Sequence, residues 1–430
     1  MVMRVAFVYP EVYDIARFGK KRKEFPPFGV LYLATIVSMQ NGMDVRIFSV
    51  DSQIALDFSE FDTVAFSIPS SVTYDLMKFV CRKSKYAKDA LLIAGGIHAQ
   101  IFPQTTLQEM NIHAVSIGQG DETILDLLKR KDSRNFDGVA GVCYTDEAGE
   151  VVLTPSKPLK RSLDHLPAIP ARDLLPDSDF ILDNRLAGTR LRMTHIMLSQ
   201  GCPFSCNFCA AQQRQMQYRS GLHVRQELKY LQDKYGIEGF AVVGDNFLVN
   251  KRKVAEVCLA IADLCLQWST LSRVDMIDYD TLEVMRDAGC IEIKFGIESG
   301  SESILRAMGK RISVDQIYNA VHMTYAVGIG AKAFIIHGYP GENMETTRET
   351  IAMLDDLSGM IERVSLFRFV PLPGSFVCDN ADAVGLVRID NMNKCHIHHN
   401  PHHWWGSDSD FAEIEASYKE LDAFIRNKWG

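Results

Sequence analysis

The chain has 430 residues, of which 47% are apolar and 23% charged, and this composition describes a globular protein of two or three domains. The net charge of −8 argues against nucleic acid as a partner, and the absence of any run of eighteen apolar residues argues against a membrane span. The first residues form a strand pattern rather than a signal peptide. Ten cysteines in such a chain indicate thiols or metal ligands in a cytoplasmic protein.

Residues 1–135 alternate short apolar runs with amphipathic stretches. Strands are expected at 4–10, 44–51, 62–69, 90–97 and 113–118. Apolar strands that alternate with helices are typical of an α/β fold with a doubly wound parallel sheet, and such a sheet binds ligands beyond the carboxyl ends of its strands. Small residues lie at or just beyond those ends, namely Ser70, Ser71, Gly95, Gly96 and Gly118.

A hairpin and a proline-rich linker are expected over residues 136–185. A second series of strands follows at 193–200, 239–245, 268–274, 292–299, 331–340 and 363–373. These six β/α units predict a partial barrel over 186–375, whose site lies at the carboxyl ends of its strands. Residues 376–430 are expected to form a C-terminal cap on the substrate side.

Three cysteines lie in the loop directly after the first strand of this second series. Cys202, Cys206 and Cys209 have the spacing C-x3-C-x2-C within SQGCPFSCNFC. Thiolates bind zinc or iron–sulfur clusters, but a structural zinc site needs four ligands. Three cysteines can hold a 4Fe–4S cluster that keeps one iron open to an external ligand. The alternatives are buried unreactive thiols, or zinc completed by a distant histidine.

The loop resembles the signature C-x3-C-x-Φ-C of the radical S-adenosylmethionine enzymes, with Phe208 as the aromatic residue Φ. The resemblance implies that the cysteines hold a 4Fe–4S cluster and that its open iron binds S-adenosylmethionine. It also implies that an electron from a flavodoxin- or ferredoxin-type donor cleaves this cofactor to a 5′-deoxyadenosyl radical, which acts on a small-molecule substrate.

Later strand ends extend the resemblance through VVGDNF (242–247), SRVD (272–275), KFGIESG (294–300), FIIHGYPGE (334–342) and PLPGS (371–375). Each motif alone is weak, because a Gly-Glu pair after a strand is usually a turn. The residues that the resemblance implies for binding the cofactor are Phe208, Arg219, Asp245, Arg273, Glu298, Ser299, Ile336 and Gly338. Tyr218 is the candidate catalytic residue, as a donor of a hydrogen atom or proton, and a structural tyrosine is the alternative.

The N-terminal region resembles the subclass that carries a cobalamin-binding domain. The segments concerned are FPPFGVLYLA (25–34), GGIHA (95–99) and GQGDETILDLL (118–128). Cobalamin would then lie over the small residues at the sheet edge, where a flat macrocycle can approach the backbone. The pattern D-x-H-x-x-G is absent, so a histidine ligand is not indicated. A degenerate domain without cobalamin is the alternative.

The segment CHIHHNPHHWWG (395–406) contains five histidines and two tryptophans. Its composition suits the lining of a substrate pocket, and structural packing or a metal site are the alternatives. The candidate substrate residues are His337, His399, His402, His403, Trp404 and Trp405.

Three functional hypotheses follow from these observations. The first is cobalamin-dependent methyl transfer to an unactivated carbon of a natural-product or sugar-like molecule. The second is a cobalamin-free radical dehydration, deoxygenation or decarboxylation of a sugar-like substrate. The third is a zinc- or cofactor-binding regulator without catalytic activity.

Overall fold

The computed structural model describes residues 2–11, 26–211, 214–386, 405–406 and 408–430. Its contacts divide the chain into two compact units. The first consists of residues 1–160 and 165–180, and the second of residues 161–164 and 181–430. The four-part division with boundaries at 135, 185 and 375 remains a prediction.

The first unit is built on a seven-stranded sheet with the order β2-β1-β4-β6-β7-β8-β9. Its strands are β1 (Met3–Pro10), β2 (Met43–Val50), β4 (Thr63–Ser67), β6 (Leu91–Gly95), β7 (Ala114–Ser116), β8 (Val142–Thr145) and β9 (Val151–Leu153). The first five are parallel, and the hairpin β8–β9 adds two antiparallel strands at one edge. Two short strands, β3 (Asp57–Phe58) and β5 (Lys85–Tyr86), pair separately.

The parallel strands of this sheet reverse their order between β1 and β4. Ligands of doubly wound sheets bind at the carboxyl ends beside such a reversal, and here Ser70 and Ser71 follow β4. The helices of the unit are α1 (Phe28–Ser38), α2 (Tyr74–Lys83), α3 (Ile97–Ile101), α4 (Pro103–Met110) and α5 (Gly120–Lys129). Burial of strand residues such as Val8, Val64 and Phe66 against helix residues such as Met77 forms the core.

The second unit contains a sheet with the order β10-β11-β14-β15-β16-β17-β18. Its strands are β10 (Leu182–Leu186), β11 (Thr189–Met197), β14 (Gly239–Val243), β15 (Gln267–Ser272), β16 (Cys290–Glu298), β17 (Gly330–His337) and β18 (Ile361–Arg368). From β11 onward the strands are parallel and in chain order, which produces a curled half-barrel. The antiparallel edge strand β10 was not expected from the sequence. The predicted α/β fold class is confirmed.

The helices of the half-barrel are α6 (Gly221–Tyr235), α7 (Lys251–Ile261), α8 (Tyr279–Asp287), α9 (Glu302–Ala307), α10 (Val314–Val327), α11 (Met344–Asp356), α12 (Phe376–Asp379) and α13 (Asp408–Trp429). Ser313 and Asn343 form capping boxes at the starts of α10 and α11, so their sequences define where these helices begin. Across the described ranges, no helix has the length and apolar character needed to cross a membrane.

Strand β17 shows how the half-barrel divides its two faces. His337 reaches Thr347 of α11, so its face of the strand meets the helical layer. Side chains alternate along a strand, and the neighbouring Ile336 on the opposite face packs against the same buried cluster as Phe208 of the cysteine loop. The concave face of the sheet therefore carries the cysteine loop. The short strands β12 (Ser199–Gln200) and β13 (Gln217–Tyr218) pair on either side of that loop.

Candidate functional site

The cysteine loop closes through a glycine that no other residue could replace. Gly201 has φ +88°, and a Cβ there would lie 2.2 Å from the carbonyl oxygen of Gln215. The Gly201 amide donates to Asp245 Oδ2 at 2.9 Å, which fastens the loop to the end of β14. The backbone of Cys202 accepts a hydrogen bond from the Arg214 amide at 2.9 Å. The loop is therefore held in shape by protein contacts on both sides.

The three thiols of this loop are withdrawn from solvent. Cys206 is buried, and Cys202 and Cys209 are partly buried. Burial raises the pKa of the Cys202 thiol, and it raises the pKa of Cys209 to about 11. In the part of the chain that the structure describes, no group of three His, Cys, Asp or Glu side chains is arranged to hold a single metal ion. A 4Fe–4S cluster does not require the three sulfurs to converge on one ion, because each cysteine binds a different iron.

Arg273 follows β15 and contacts the cysteine loop directly. Its Nη1 donates to Cys206 Sγ at 3.4 Å, and its guanidinium carbon lies 4.0 Å from the centroid of the Phe204 ring. Its Nε and Nη2 donate to the two carboxylate oxygens of Asp275, both at 2.9 Å. Arg273 thus lies beside the loop, and its predicted role in binding the cofactor remains a prediction.

Glu298 ends β16 in a strained conformation, with φ +71° and a break in the register with β17. Its Oε1 accepts from Lys310 Nζ at 2.5 Å, and both side chains are almost fully buried. Lys310 Nζ also lies 5.8 Å from the centroid of the Phe208 ring, and the Lys310 carbonyl accepts from Arg273 Nη2 at 2.7 Å. Sequence reasoning missed Lys310, which links Glu298, Phe208 and Arg273 although it lies in no recognised motif.

Asn246 is the second site residue that sequence reasoning missed. It follows Asp245 at the end of β14 and is 2% exposed. Neither its amide nitrogen nor its amide oxygen has a hydrogen-bond partner among the described residues. Buried amides are nearly always hydrogen-bonded, so this side chain has the character of a ligand contact. Asp245 beside it is partly buried, and this burial raises the pKa of its carboxyl group.

Tyr218 and Arg219 lie just after the cysteine loop. Tyr218 pairs with Ser199 in the small sheet, and burial raises the pKa of its phenol to about 12. The Arg219 guanidinium forms a fully buried ion pair with Glu227 and donates to the carbonyl oxygens of Met197 at 3.1 Å and His223 at 3.0 Å. These contacts are those of a residue that anchors β13 to α6, and the predicted cofactor contact of Arg219 remains a prediction.

The remaining residues predicted for the cofactor lie at the ends of β16 and β17. Ser299 is fully buried, and its hydroxyl accepts from the Ser301 amide at 3.1 Å. The Gly338 amide donates to Glu342 Oε2 at 2.6 Å, and burial raises the pKa of Glu342 to about 8. Ile336, beside Gly338, packs against the same apolar cluster as Phe208 of the cysteine loop.

The predicted substrate residues are distributed differently. His337 Nε2 lies 3.2 Å from Thr347 Oγ1 and 3.1 Å from Ser417 Oγ, so it joins the helical layer and packs as a buried histidine. Trp405 is 7% exposed and packs edge-to-face on Phe369. The others, His399, His402, His403 and Trp404, lie outside the described residues. A role of this set in substrate binding remains a prediction.

The carboxyl edge of the first sheet is lined by small residues, as predicted. Gly96 has φ +107°, and a Cβ there would lie 2.5 Å from the Ile68 carbonyl oxygen. Ser70, Ser71, Gly95, Gly96 and Gly118 are all partly exposed. His98 is buried, and its Nδ1 lies 2.8 Å from Ser71 Oγ. The edge therefore consists of small residues, and His98 is positioned to hold Ser71.

Comparison with known proteins identifies both units. Residues 196–354 match the model of the radical SAM superfamily, and residues 17–128 match that of the B12 binding domain. An uncharacterized methyltransferase of Pyrococcus horikoshii is 30% identical over 86% of this chain and 81% of its own length. An anaerobic magnesium-protoporphyrin IX monomethyl ester cyclase of Rubrivivax gelatinosus is 27% identical over 82% of this chain and 66% of its own length.

A solved structure shares the fold of both units. The cobalamin-dependent S-adenosylmethionine radical enzyme OxsB, with aqua-cobalamin and S-adenosylmethionine bound, superposes with a TM-score of 0.74 at 14% identity. The match covers 98% of this chain and 67% of that one.

A half-barrel with three cysteines on its first loop, preceded by a sheet unit of the B12-binding type, defines an enzyme of the radical S-adenosylmethionine class. The chain belongs to the radical SAM superfamily, among the members that carry a B12-binding domain. The two domains imply a cofactor set of a 4Fe–4S cluster, S-adenosylmethionine and cobalamin. The residues present fit this set, since a guanidinium donates to a cysteine sulfur and an unpartnered buried amide, Asn246, directly follows Asp245, which binds the loop.

Proposed function

We propose that this enzyme transfers a methyl group to an unactivated carbon of a small natural-product or sugar-like molecule in a cobalamin-dependent reaction. The observation that carries the proposal is the low, small-residue edge of the first sheet. At Gly96 a Cβ would collide with the Ile68 carbonyl oxygen, and Ser70 and Ser71 are small, partly exposed residues. The name of the Pyrococcus horikoshii relative supports methyl transfer.

The residues of the half-barrel take distinct roles in this proposal. Cys202, Cys206 and Cys209 hold the cluster. Phe208, Ile336 and Gly338 form the apolar and backbone surface for the adenine part of S-adenosylmethionine, and Asp245, Glu298 and Ser299 bind its polar parts. Asn246 adds two hydrogen-bonding atoms at the same edge.

The cluster and cofactors, when bound, supply one-electron cleavage of S-adenosylmethionine and a carrier for the methyl group. The protein limits the access of water by burying Cys206 and partly burying Cys202 and Cys209. In this proposal Tyr218, whose buried phenol stays protonated at neutral pH, gives a proton or hydrogen atom to substrate. A low-potential flavodoxin or ferredoxin supplies the electron.

The test begins with protein purified anaerobically with cobalamin supplied. We expect a corrinoid absorption spectrum, four irons and four sulfides per chain, and release of both S-adenosylhomocysteine and 5′-deoxyadenosine with reductant. Cys206→Ala should lose iron and keep the corrinoid. Ser70→Tyr should keep the iron and lose the corrinoid, because a large side chain at this partly exposed position obstructs the sheet edge.

Ser59→Tyr is the matched control, since Ser59 is an exposed serine that precedes β4 instead of following it. A cluster-loaded protein that binds no corrinoid yet forms 5′-deoxyadenosine would contradict the proposal and would indicate cobalamin-free radical chemistry. Absence of the cluster after reconstitution would indicate a regulator instead of an enzyme.

A further inference from the structure

Arg273 is the one cation that the structure shows donating directly to a sulfur of the cysteine loop, within the described residues. Its Nη1 lies 3.4 Å from Cys206 Sγ, and Arg273 and Cys206 are 7% and 8% exposed. Water therefore screens this contact poorly, and a charge on the guanidinium acts on the sulfur at close range.

The guanidinium is fixed from three other directions. The Asp275 carboxylate accepts hydrogen bonds from Nε and Nη2, and the Lys310 carbonyl accepts from Nη2 at 2.7 Å. The guanidinium carbon lies over the Phe204 ring, 4.0 Å from its centroid. These contacts occupy the edge of the guanidinium away from the cysteine and leave Nη1 for Cys206 Sγ. A planar fork held in this way has one orientation available to it.

Hydrogen bonds to the sulfurs of an iron–sulfur cluster are one of the factors that set its reduction potential. A cluster that accepts one electron gains one negative charge, and no bond is made or broken in that step. A donor and a positive charge at a ligand sulfur stabilise the reduced form more than the oxidised form. The reduction potential therefore rises when such a donor is present.

We propose that Arg273 is a positioning residue that raises the reduction potential of the cluster through Cys206, instead of a ligand of the cofactor's carboxylate. The inference rests on the proposed function only in that a cluster is bound to the three cysteines. Asp275 contributes to this effect on the reduction potential, because it orients the Arg273 guanidinium and offsets part of its charge.

The experiment is a potentiometric titration of the reconstituted protein, followed by the electron paramagnetic resonance signal of the reduced cluster. Arg273→Gln should shift the midpoint to a more negative potential, and Arg273→Lys should give a smaller shift in the same direction. A tenfold weaker preference for the reduced form corresponds to about 59 mV for a one-electron couple. Asp275→Asn should shift the midpoint in the positive direction.

The matched control is Arg225→Gln. Arg225 also forms a two-pronged pair with an aspartate, Asp263, but the pair is on the surface of the same unit. Its removal should leave the midpoint unchanged.

An Arg273→Gln midpoint equal to that of the native protein, at equal iron content, would overturn the inference. If this variant does not retain its cluster, Arg273→Lys and Asp275→Asn decide, and shifts of the same sign in both would overturn the inference as well. A native protein that takes up no cluster would overturn the proposed function together with the inference. If the native protein binds its cluster but the variants have the same midpoint potential as the native protein, only the inference is overturned.

Discussion

Lys310 Nζ and Glu298 Oε1 are 2.5 Å apart in a pair whose side chains are 4% and 10% exposed. The pair joins the strained end of β16 to the loop before α10, directly beside Phe208. Burying either charge without its partner would cost desolvation free energy on the order of 3–5 kcal/mol.

Lys310→Met should therefore destabilise the half-barrel by about 3–5 kcal/mol, because it leaves the Glu298 carboxylate buried without its partner. The double variant Lys310→Met/Glu298→Gln should lose less unfolding free energy than the two single variants lose together. Urea unfolding followed by tryptophan fluorescence measures both. Lys229→Met, at an exposed ion pair, is the control and should change little. Additive losses in the double variant would contradict the coupling.

The Arg219–Glu227 pair leads to a second prediction. Its side chains are 1% and 0% exposed, and Arg219 also bonds to two carbonyl oxygens. Glu227→Gln should cost about 3–5 kcal/mol of unfolding free energy in the half-barrel, with loss of helix α6 first. Hydrogen exchange of residues 217–235 locates the effect. Asp263→Asn, in the exposed ion pair with Arg225, should hardly change the unfolding free energy. An equal loss of unfolding free energy in both variants would show that burial of the ion pair is not the cause.

Glu342 predicts a dependence of stability on pH. Burial raises its pKa to about 8 in the folded protein, so the folded carboxyl stays protonated where the unfolded one, with a pKa near 4.5, has ionised. The unfolded state then binds fewer protons, and stability falls as pH rises from about 4.5 to 8, by at most about 1.4 kcal/mol per pH unit. Glu342→Gln should flatten this slope in urea titrations at several pH values. The exposed Glu349→Gln should retain it.

His337 predicts a slope of the opposite sign. Burial lowers its pKa to about 3, so between about pH 3 and 6.5 the unfolded chain binds a proton that the folded chain does not. Stability should fall as pH decreases through this window. His337→Leu should remove that loss and should also cost about 1–3 kcal/mol, since Thr347 and Ser417 lose a partner.

Helix α13 is the place to measure the His337 variant, because Ser417 belongs to it. Hydrogen exchange of residues 408–430 should accelerate in His337→Leu and stay unchanged in His322→Leu, where the histidine is exposed. An unchanged rate in both variants would show that His337 does not anchor the helix.

The parallel strands were predictable because each is a short apolar run between helical patterns, and β1, β2 and β17 begin and end within two or three residues of the expected positions. The edge strand β10 was missed, since its sequence LDNRL is polar and its pairing with β11 depends on a neighbour. The hairpin β8–β9 was predicted, but the sequence did not reveal that it pairs with β7.

The site was predictable only where a motif marks it. The cysteine spacing identifies the loop, and the strand ends locate Arg273 and Glu298. Lys310 could not be found this way, because it lies twelve residues after Glu298 in the sequence. Only the folded chain brings its side chain back to Glu298. Arg219 shows the converse limit, since its motif position suggests a cofactor contact and its observed partners are Glu227 and backbone carbonyls.

The closure of the cysteine loop has a consequence for how the enzyme is assembled and repaired. Asp245 holds Gly201, Arg214 bonds to the carbonyl of Cys202, and Asn207 bonds through its amide to the carbonyl of Met308 at 2.8 Å. These fastenings do not involve iron, in contrast to small zinc domains that fold only around their metal. The loop is therefore fastened by protein contacts in addition to any cluster, and we expect the half-barrel to stay folded when oxygen destroys the cluster.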